Sequence, residues 1–304
     1  MHKVHIDKKG KVDTGSIATQ ISTAGAPKDH AIKEVPGILE EGKIFFFYRP
    51  RKGLQEAHGL GDIQRFFTVT LPLSRPAPAR LIVVGKKHLP ERGQRFWAAV
   101  VAVAPTMDEV LEGLGPKADR SGTSQARLTP AARLVGEGVY VLFDRGREVD
   151  LLYELELPTY PHEAQEELGI HKTGELTIQV KNPYRPSPPG LGLGKKPEYP
   201  KELQQVFCEG PPGGYAWVPP KNPALLDFED AKFVLIGRSP DIERKSKSLK
   251  ELLDKAVKQD LGSELQVHED ASEEDSAMLD KLKSDISADS YGIDIHPAID
   301  GVLD

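Results

Sequence analysis

The apolar residues between positions 38 and 240 fall into short runs that end at proline or glycine. Four such runs come early and span residues 43–48, 65–71, 80–84 and 95–104. Unbroken apolar runs of this length, rich in β-branched and aromatic residues, are typical of strands that are covered on both faces. The pattern therefore predicts a body built from short, buried strands.

A hairpin is the clearest local prediction. The apolar run 138–143 leads into the turn-like tetrapeptide 144–147, and the return segment 149–157 alternates in polarity. Its apolar positions are Val149, Leu151, Tyr153, Leu155 and Leu157, and its acidic positions are Asp150, Glu154 and Glu156. A period of two indicates a half-buried strand whose acidic residues face solvent. Two further strands are predicted at 175–180 and 232–236.

Helical signals are few in this region. Thr106 and Glu109 have the spacing of a capping box, which predicts a helix ending at Leu114, and a second short helix is predicted at 163–168. Near the end of the chain, apolar residues follow helical spacing over 249–261 and 278–286. About eight strands with a few short helices favour a mainly β fold, as a sandwich or barrel, followed by a C-terminal helical tail.

Charge separates the tail from the rest of the chain. The 304 residues carry a net charge of -6, but residues 241–304 hold 17 acidic and 8 basic residues, a balance of -9. Residues 1–240 therefore hold 29 acidic and 32 basic residues, a balance of +3. We divide the chain into a flexible N-terminal arm (1–35), a β-rich body (36–240) with a long loop at 183–223, and an acidic helical tail (241–304).

Familiar catalytic and metal-binding patterns do not occur in the sequence. The single cysteine, Cys208, permits neither an intrachain disulfide nor a cysteine-based zinc site, and the nine histidines lack metal-ligand spacing. The segment 190–196 resembles a phosphate loop, but Gly190 and Gly194 stand too close together and Lys196 replaces the required hydroxyl. We interpret it as a flexible loop. No catalytic residue, cofactor or metal is predicted.

Two basic clusters beside aromatic strands form the candidate binding site, which we call the basic rim. Its residues are Arg49, Arg51, Lys86, Lys87, His88, Arg92 and Arg95. Such a rim suits an anionic ligand or an acidic partner segment, which includes the chain's own tail. Beside aromatic residues, it would also suit a single strand of nucleic acid. The neighbouring Phe45, Phe47, Phe66 and Phe67 are better explained as core, and a balance of +3 is small for a nucleic-acid binder.

Several segments resemble a known protein family. They include Glu-Gly-Lys-Ile-Phe-Phe-Phe-Tyr-Arg at 41–49, Asp-Ile-Gln-Arg-Phe-Phe at 62–67, and the segments 80–90, 95–97, 130–133 and 136–140. They resemble a bacterial and fungal family without an established activity, whose fungal members are often named "BTB domain transcription factor". The resemblance covers roughly residues 38–240. Its motifs are strand and turn patterns, so it implies no catalytic residues.

These observations favour a non-enzymatic, intracellular interaction or scaffold module with a protein partner. One alternative is a small-ligand-binding or hydrolytic β-barrel, and another is an accessory nucleic-acid binder that uses the basic rim at 86–95. The longest apolar run, 96–104, is too short for a membrane helix, and the first nine residues lack the apolar stretch of a signal peptide. We therefore expect a cytoplasmic protein, or a nuclear one in a eukaryote, without membrane association.

Overall fold

The computed structural model describes residues 37–54, 56–118, 128–187, 195–238, 282 and 287–303. The strands are β1 (Ile38–Pro50), β2 (Ile63–Pro72), β3 (Ala79–Val84), β4 (Arg95–Ala104), β5 (Lys117–Ala118), β6 (Leu128–Thr129), β7 (Arg133–Asp144), β8 (Val149–Leu157), β9 (Thr173–Lys181), β10 (Trp217–Val218) and β11 (Lys232–Gly237). The α-helices are α1 (Met107–Leu114), α2 (Glu163–Glu167), α3 (Lys201–Gln204) and α4 (Pro297–Asp300). Turns of 3₁₀-helix lie at Gln205–Cys208, Pro223–Leu226 and Ala288–Tyr291.

Eight of the strands close into an antiparallel barrel. Their order is β1-β2-β3-β4-β11-β9-β8-β7, and β7 pairs back to β1. Phe233 lies opposite Val180 between β11 and β9, and Asp150 lies opposite Thr177 between β8 and β9. Closure pairs each of the eight barrel strands on both sides, so none of these eight strands is an open edge that could attract another chain. The prediction of a mainly β fold with about eight strands is therefore confirmed.

The barrel wall is covered on both faces along β1, β2 and β3. On β1, Phe46 and Tyr48 point into the barrel, whereas Phe45 and Phe47 belong to a second apolar cluster outside it. That outer cluster also contains residues of α1 and of the C-terminal segment, among them Leu111, Ile293 and Ala298. Two apolar faces on one strand explain why the sequence shows unbroken apolar runs there instead of alternation.

Large side chains fill the inside of the barrel. The fully buried rings of Phe46, Tyr140, Tyr153 and Phe233 belong to one interior cluster. The space left among them that water could enter is about 20 Å³, close to the volume needed for one water molecule. The interior is therefore a packed core rather than a ligand chamber.

A buried ion cluster lies at the end of the barrel where β1 begins. Glu40 accepts hydrogen bonds from Arg80 Nη1 and Nη2 at 2.7 and 2.8 Å, and from Arg75 Nε at 2.6 Å. Tyr140 also donates to Glu40, and Asp227 accepts from both arginines. Burial alone would raise the pKa of Glu40, but Arg80, with help from Tyr140 and Arg75, holds it below its ordinary value. Two arginines and two carboxylates thus balance one another at this end.

The acidic residues of β8 do not all face solvent as predicted. Asp150 and Glu156 are buried, at 0% and 4% exposure. Asp150 accepts a hydrogen bond from Thr177 Oγ1 at 2.6 Å and pairs with Arg145, which also pairs with Glu175. For Asp150 the prediction was wrong because Thr177 on the neighbouring strand β9 and the guanidinium of Arg145 supply partners for a buried carboxylate.

The long loop predicted at 183–223 carries structure of its own in its described part. It contains α3, two 3₁₀ turns in part or whole, and β10, which pairs with the end of β9. Tyr199 and Phe207 are buried in the interior cluster, and Leu226 lines the small space inside the barrel. The segment between β9 and β11 therefore closes one end of the barrel.

Two of the predicted helices are described and match their predictions. The Thr106 side chain accepts from the amide of Glu109 at 3.4 Å and begins α1, and α2 lies at the second predicted position. The predicted helix at 249–261, the N-terminal arm and most of 278–286 lie outside the described residues. None of the helices that are described is long and apolar enough to cross a membrane.

The described end of the tail packs on the barrel. Leu134 N donates to Asp294 O at 2.8 Å, and Ala164 N donates to Gly301 O at 2.9 Å. The Gln165 side-chain amide donates to Pro297 O at 3.1 Å. These hydrogen bonds, together with the burial of Ile293 and Ile295, hold residues 293–301 against β7 and α2.

Candidate functional site

Arg49 of the basic rim is a structural residue. It is only 7% exposed, and its Nη2 donates to the carbonyl oxygens of Leu114 at 2.9 Å and Gly113 at 3.4 Å. These carbonyls end α1, where a positive charge is favourable because the last helical carbonyls lack intrahelical partners. The guanidinium also lies over the Phe67 ring, 5.6 Å from its centre. Arg49 therefore does not belong to an exposed binding surface.

The other residues of the rim lie near the connection between β3 and β4. Lys87 Nζ donates to Leu60 O at 2.6 Å, and burial together with the nearby Arg51 lowers its pKa. Lys86, Arg92 and Arg95 are exposed, and the His88 ring meets Phe96 edge to face. Because Phe45, Phe47, Phe66 and Phe67 are buried, as expected of core residues, they cannot stack on the bases of a nucleic acid.

A different group of charged residues surrounds a cavity, which we call the basic pocket. Its volume is about 290 Å³. Its charged lining residues are Lys181, Arg185, Lys195, Lys196, Lys232 and Asp230, and its other lining residues are Pro183, Tyr184, Pro186, Ser187 and Pro197. Five cations thus face a single carboxylate around one space.

Strand pairing brings the two buried lysines of the pocket together. Lys181 ends β9 and Lys232 begins β11, and each lies one residue beyond the Phe233–Val180 pair of these adjacent strands. Lys181 is 6% exposed and Lys232 is 8% exposed. Both stems are therefore packed against the protein while their ammonium groups reach the edge of the sheet.

Backbone carbonyls hold three of the five cations in place. Lys181 Nζ donates to Asn182 O at 2.8 Å and to Arg185 O at 2.5 Å, and Lys232 Nζ donates to Lys195 O. The Arg185 guanidinium donates to the carbonyls of Pro212, Gly213 and Gly214 and so fixes the 211–214 turn. Within the described chain, Lys195 and Lys196 have no hydrogen-bond or ion-pair partner for their ammonium groups, and both are exposed.

The lysines of the pocket repel one another. Burial lowers the pKa of Lys181, and the positive charges of Lys196 and Lys232 lower it further. Burial also lowers the pKa of Lys232, although Asp230 opposes this. An anion placed among these groups would relieve the repulsion, so the arrangement favours binding of negative charge.

The sequence alone pointed to only one part of this pocket. Lys195 and Lys196 are the last two residues of the segment 190–196, which we interpret from the sequence as a flexible loop, and Gly190–Gly194 lie outside the described residues. Lys181 and Lys232 were not identified. The signal that could have found them is a lysine at the end of one apolar strand and at the start of another, since lysine is rarely buried without a reason.

Among the described residues, no group of three or more His, Cys, Asp and Glu side chains is arranged to hold a metal ion. No protein-family model, curated protein or solved structure matches the chain. The candidate site is a basic cavity at the edge of a closed barrel.

Proposed function

We propose that this protein is a non-enzymatic binding module whose barrel presents the basic pocket to an anionic ligand or to an anionic group of a partner. The observation that carries the proposal is the excess of positive charge, five cations against one carboxylate, around a cavity of about 290 Å³. Two of these cations, Lys195 and Lys196, have no partner within the described chain. We place the module inside the cell, where a lone exposed thiol such as Cys208 stays reduced.

Binding is favoured over catalysis for two reasons. The packed interior, with about 20 Å³ accessible to water, leaves no room for a substrate inside the barrel. The pocket lining includes the Ser187 hydroxyl and the Asp230 carboxylate, but no hydrogen bond joins these two described residues, whereas hydrolysis needs a nucleophile activated by an adjacent general base. A cavity lined by four lysines, two of them without a partner in the described chain, matches the simpler task of holding negative charge.

The proposal is tested by calorimetric titration of the full chain with pyrophosphate, a compact polyanion. We expect binding that weakens between low salt and about 0.3 M salt, since partly exposed charges are screened. The double variant Lys195→Ala/Lys196→Ala should bind about tenfold more weakly or worse, as expected when two unit charges near the anion are removed.

The matched control is Lys86→Ala/Lys87→Ala, which removes the same two charges from the basic rim. We expect this variant to keep the affinity of the unmodified chain. If it loses binding while Lys195→Ala/Lys196→Ala keeps it, the anion site is the basic rim and the pocket is wrongly assigned. If pyrophosphate does not bind the unmodified chain at low salt, the proposed function is wrong.

A further inference from the structure

Resting on the proposed function, we infer that the basic pocket takes a phosphate monoester, with the phosphate among the lysines and the organic group against Tyr184. Such a ligand is a small molecule with a terminal, doubly charged phosphate. Carboxylates, sulfonates and the phosphodiester backbone of a nucleic acid are the competing anions. Three features of the pocket distinguish the monoester from them.

The first feature is the supply of hydrogen-bond donors. Each lysine ammonium has three N–H groups. Lys181 uses two of them on backbone carbonyls and Lys232 uses one, whereas Lys195 and Lys196 keep all of theirs within the described chain. A phosphate monoester offers three terminal oxygens and close to two negative charges near neutral pH, while a carboxylate offers two oxygens and one charge. The monoester uses more of the available donors and neutralises more of the charge.

The second feature is the kind of cation. The guanidinium of Arg185, whose planar fork would suit a planar carboxylate, is already bonded to three backbone carbonyls. Because Nε and Nη2 are used, Arg185 keeps only the two N–H groups of Nη1 and cannot present its fork. The other free N–H groups belong to lysines, which act as point charges and can approach a tetrahedral group from several directions. The pocket therefore suits tetrahedral anions better than planar ones.

The third feature is the shape and the apolar part of the lining. A volume of about 290 Å³ is at the small end of ligand pockets, so it suits an end group and a small body rather than a passing polymer. Pro183, Pro186, Pro197 and Tyr184 supply apolar surface beside the lysines. The Tyr184 ring is 54% exposed and meets Phe207 edge to face, with ring centres 6.4 Å apart, which orients it. The organic group of the ester can lie on this ring.

The test compares phenyl phosphate with benzenesulfonate and benzoate, which share its ring but carry a single charge. At about pH 7.5, we expect phenyl phosphate to bind about fivefold more tightly or better, the gain that one extra charge provides even in a watery site. At about pH 5 the phosphate holds one charge, and the preference over benzenesulfonate should shrink. Lys195→Ala/Lys196→Ala should abolish the preference, and Lys86→Ala/Lys87→Ala should preserve it.

Tyr184→Ala tests the place of the organic group. Because the ring is largely exposed, the variant should fold normally, which circular dichroism checks. We expect it to weaken phenyl phosphate about fivefold and to leave inorganic phosphate unchanged. Equal effects on both ligands, or none on either, would overturn the assignment of the organic group to Tyr184.

The remaining outcomes separate this inference from the proposed function. If all three aromatic anions bind equally and all are lost in Lys195→Ala/Lys196→Ala, the pocket binds anions but the phosphate inference is wrong. If a short thymidine oligomer without a terminal phosphate binds more tightly than phenyl phosphate, the ligand is a nucleic acid and the inference is overturned. If pyrophosphate itself does not bind, the proposed function fails and the inference fails with it.

Discussion

Replacing Glu40 by glutamine should destabilise the protein strongly. Glu40 is fully buried and accepts from Arg80, Arg75 and Tyr140. The glutamine keeps the shape but removes the charge, so two arginines would then share the single carboxylate of Asp227. The amide N–H groups of the glutamine would also face the N–H donors of Arg75 and Arg80. Breaking a buried ion pair by removing one partner costs about 3–5 kcal/mol, a large part of the typical stability of about 5–15 kcal/mol.

Urea unfolding followed by circular dichroism at about pH 7 measures this loss. The control is Lys221→Gln, which removes an ion pair with Asp144 at 3.3 Å in which the Lys221 side chain is 50% exposed. That change should cost less than about 1 kcal/mol because solvent screens exposed pairs. Replacing Glu40 by leucine and Arg80 by methionine together should recover part of the loss, since Arg75 and Asp227 remain as a balanced pair.

The effect of pH follows from the direction of the pKa shift. The pKa of Glu40 is lower in the folded protein than the ordinary value of 4.5. Its charge therefore stabilises the fold above that value, and the contribution is lost as the pH falls towards the folded pKa. The difference in the free energy of unfolding between the unmodified chain and Glu40→Gln should narrow in acid. A loss below about 1 kcal/mol at pH 7, or a difference that does not change in acid, would refute the reasoning.

Two further predictions concern the barrel wall and the helix cap. In Gly138→Ala the new Cβ would lie 2.0 Å from Glu154 O, so the strands β7 and β8 must separate at a cost of about 1–3 kcal/mol or more. The control Gly61→Ala, with open space around the new Cβ, should cost little. Equal melting temperatures of the two variants would contradict this prediction. Arg49→Met should lose about 1–3 kcal/mol in urea unfolding because it removes the charged donor from the carbonyls of Gly113 and Leu114, although Leu114 O still accepts from Ala132 N. Pyrophosphate affinity should be unchanged, and Arg51→Met is the control. If Arg49→Met binds pyrophosphate more weakly but unfolds at the same urea concentration, Arg49 belongs to the binding surface after all.

The strands could be predicted because each carries its own local pattern. All eight barrel strands contain a segment that periodicity identified, but β1 begins at Ile38, five residues before its apolar run at 43–48. The missing part holds Glu40 and Glu41, which are polar and so gave no strand signal. Glu40 sits inside the barrel only because Arg80 and Arg75 supply charge there, and both belong to other segments of the chain. A local pattern cannot reveal a partner so distant in sequence.

For a related reason, the sequence could not distinguish a β-sandwich from a β-barrel. A barrel requires β11 to pair with β4 and β9, and β9 to pair with β8. In the first of these pairs, Phe233 lies opposite Ala98, more than a hundred residues away along the chain. Such pairs add no local period to either strand, because alternation or unbroken burial looks the same whichever neighbour a strand has. The burial of Asp150 could not be predicted for the same reason, since its partner Arg145 is local but its other partner, Thr177, lies on the strand β9.

The basic pocket shows how charges scattered along a chain can make a site that clustering in sequence misses. Lys86 and Lys87 were included in the basic rim because they are adjacent in sequence, yet Lys87 donates to the carbonyl oxygens of Leu60 and Gly61. Lys181 and Lys232 are about fifty residues apart, and each looks like the ordinary charged end of a strand. Antiparallel pairing of β9 with β11 places them side by side, and the Lys232 ammonium then holds the backbone at Lys195, so Lys195 and Lys196 reach the same cavity. The closed barrel is therefore what concentrates the charge: without the β9–β11 pairing, these four lysines would be separate solvated ions with no reason to share a ligand.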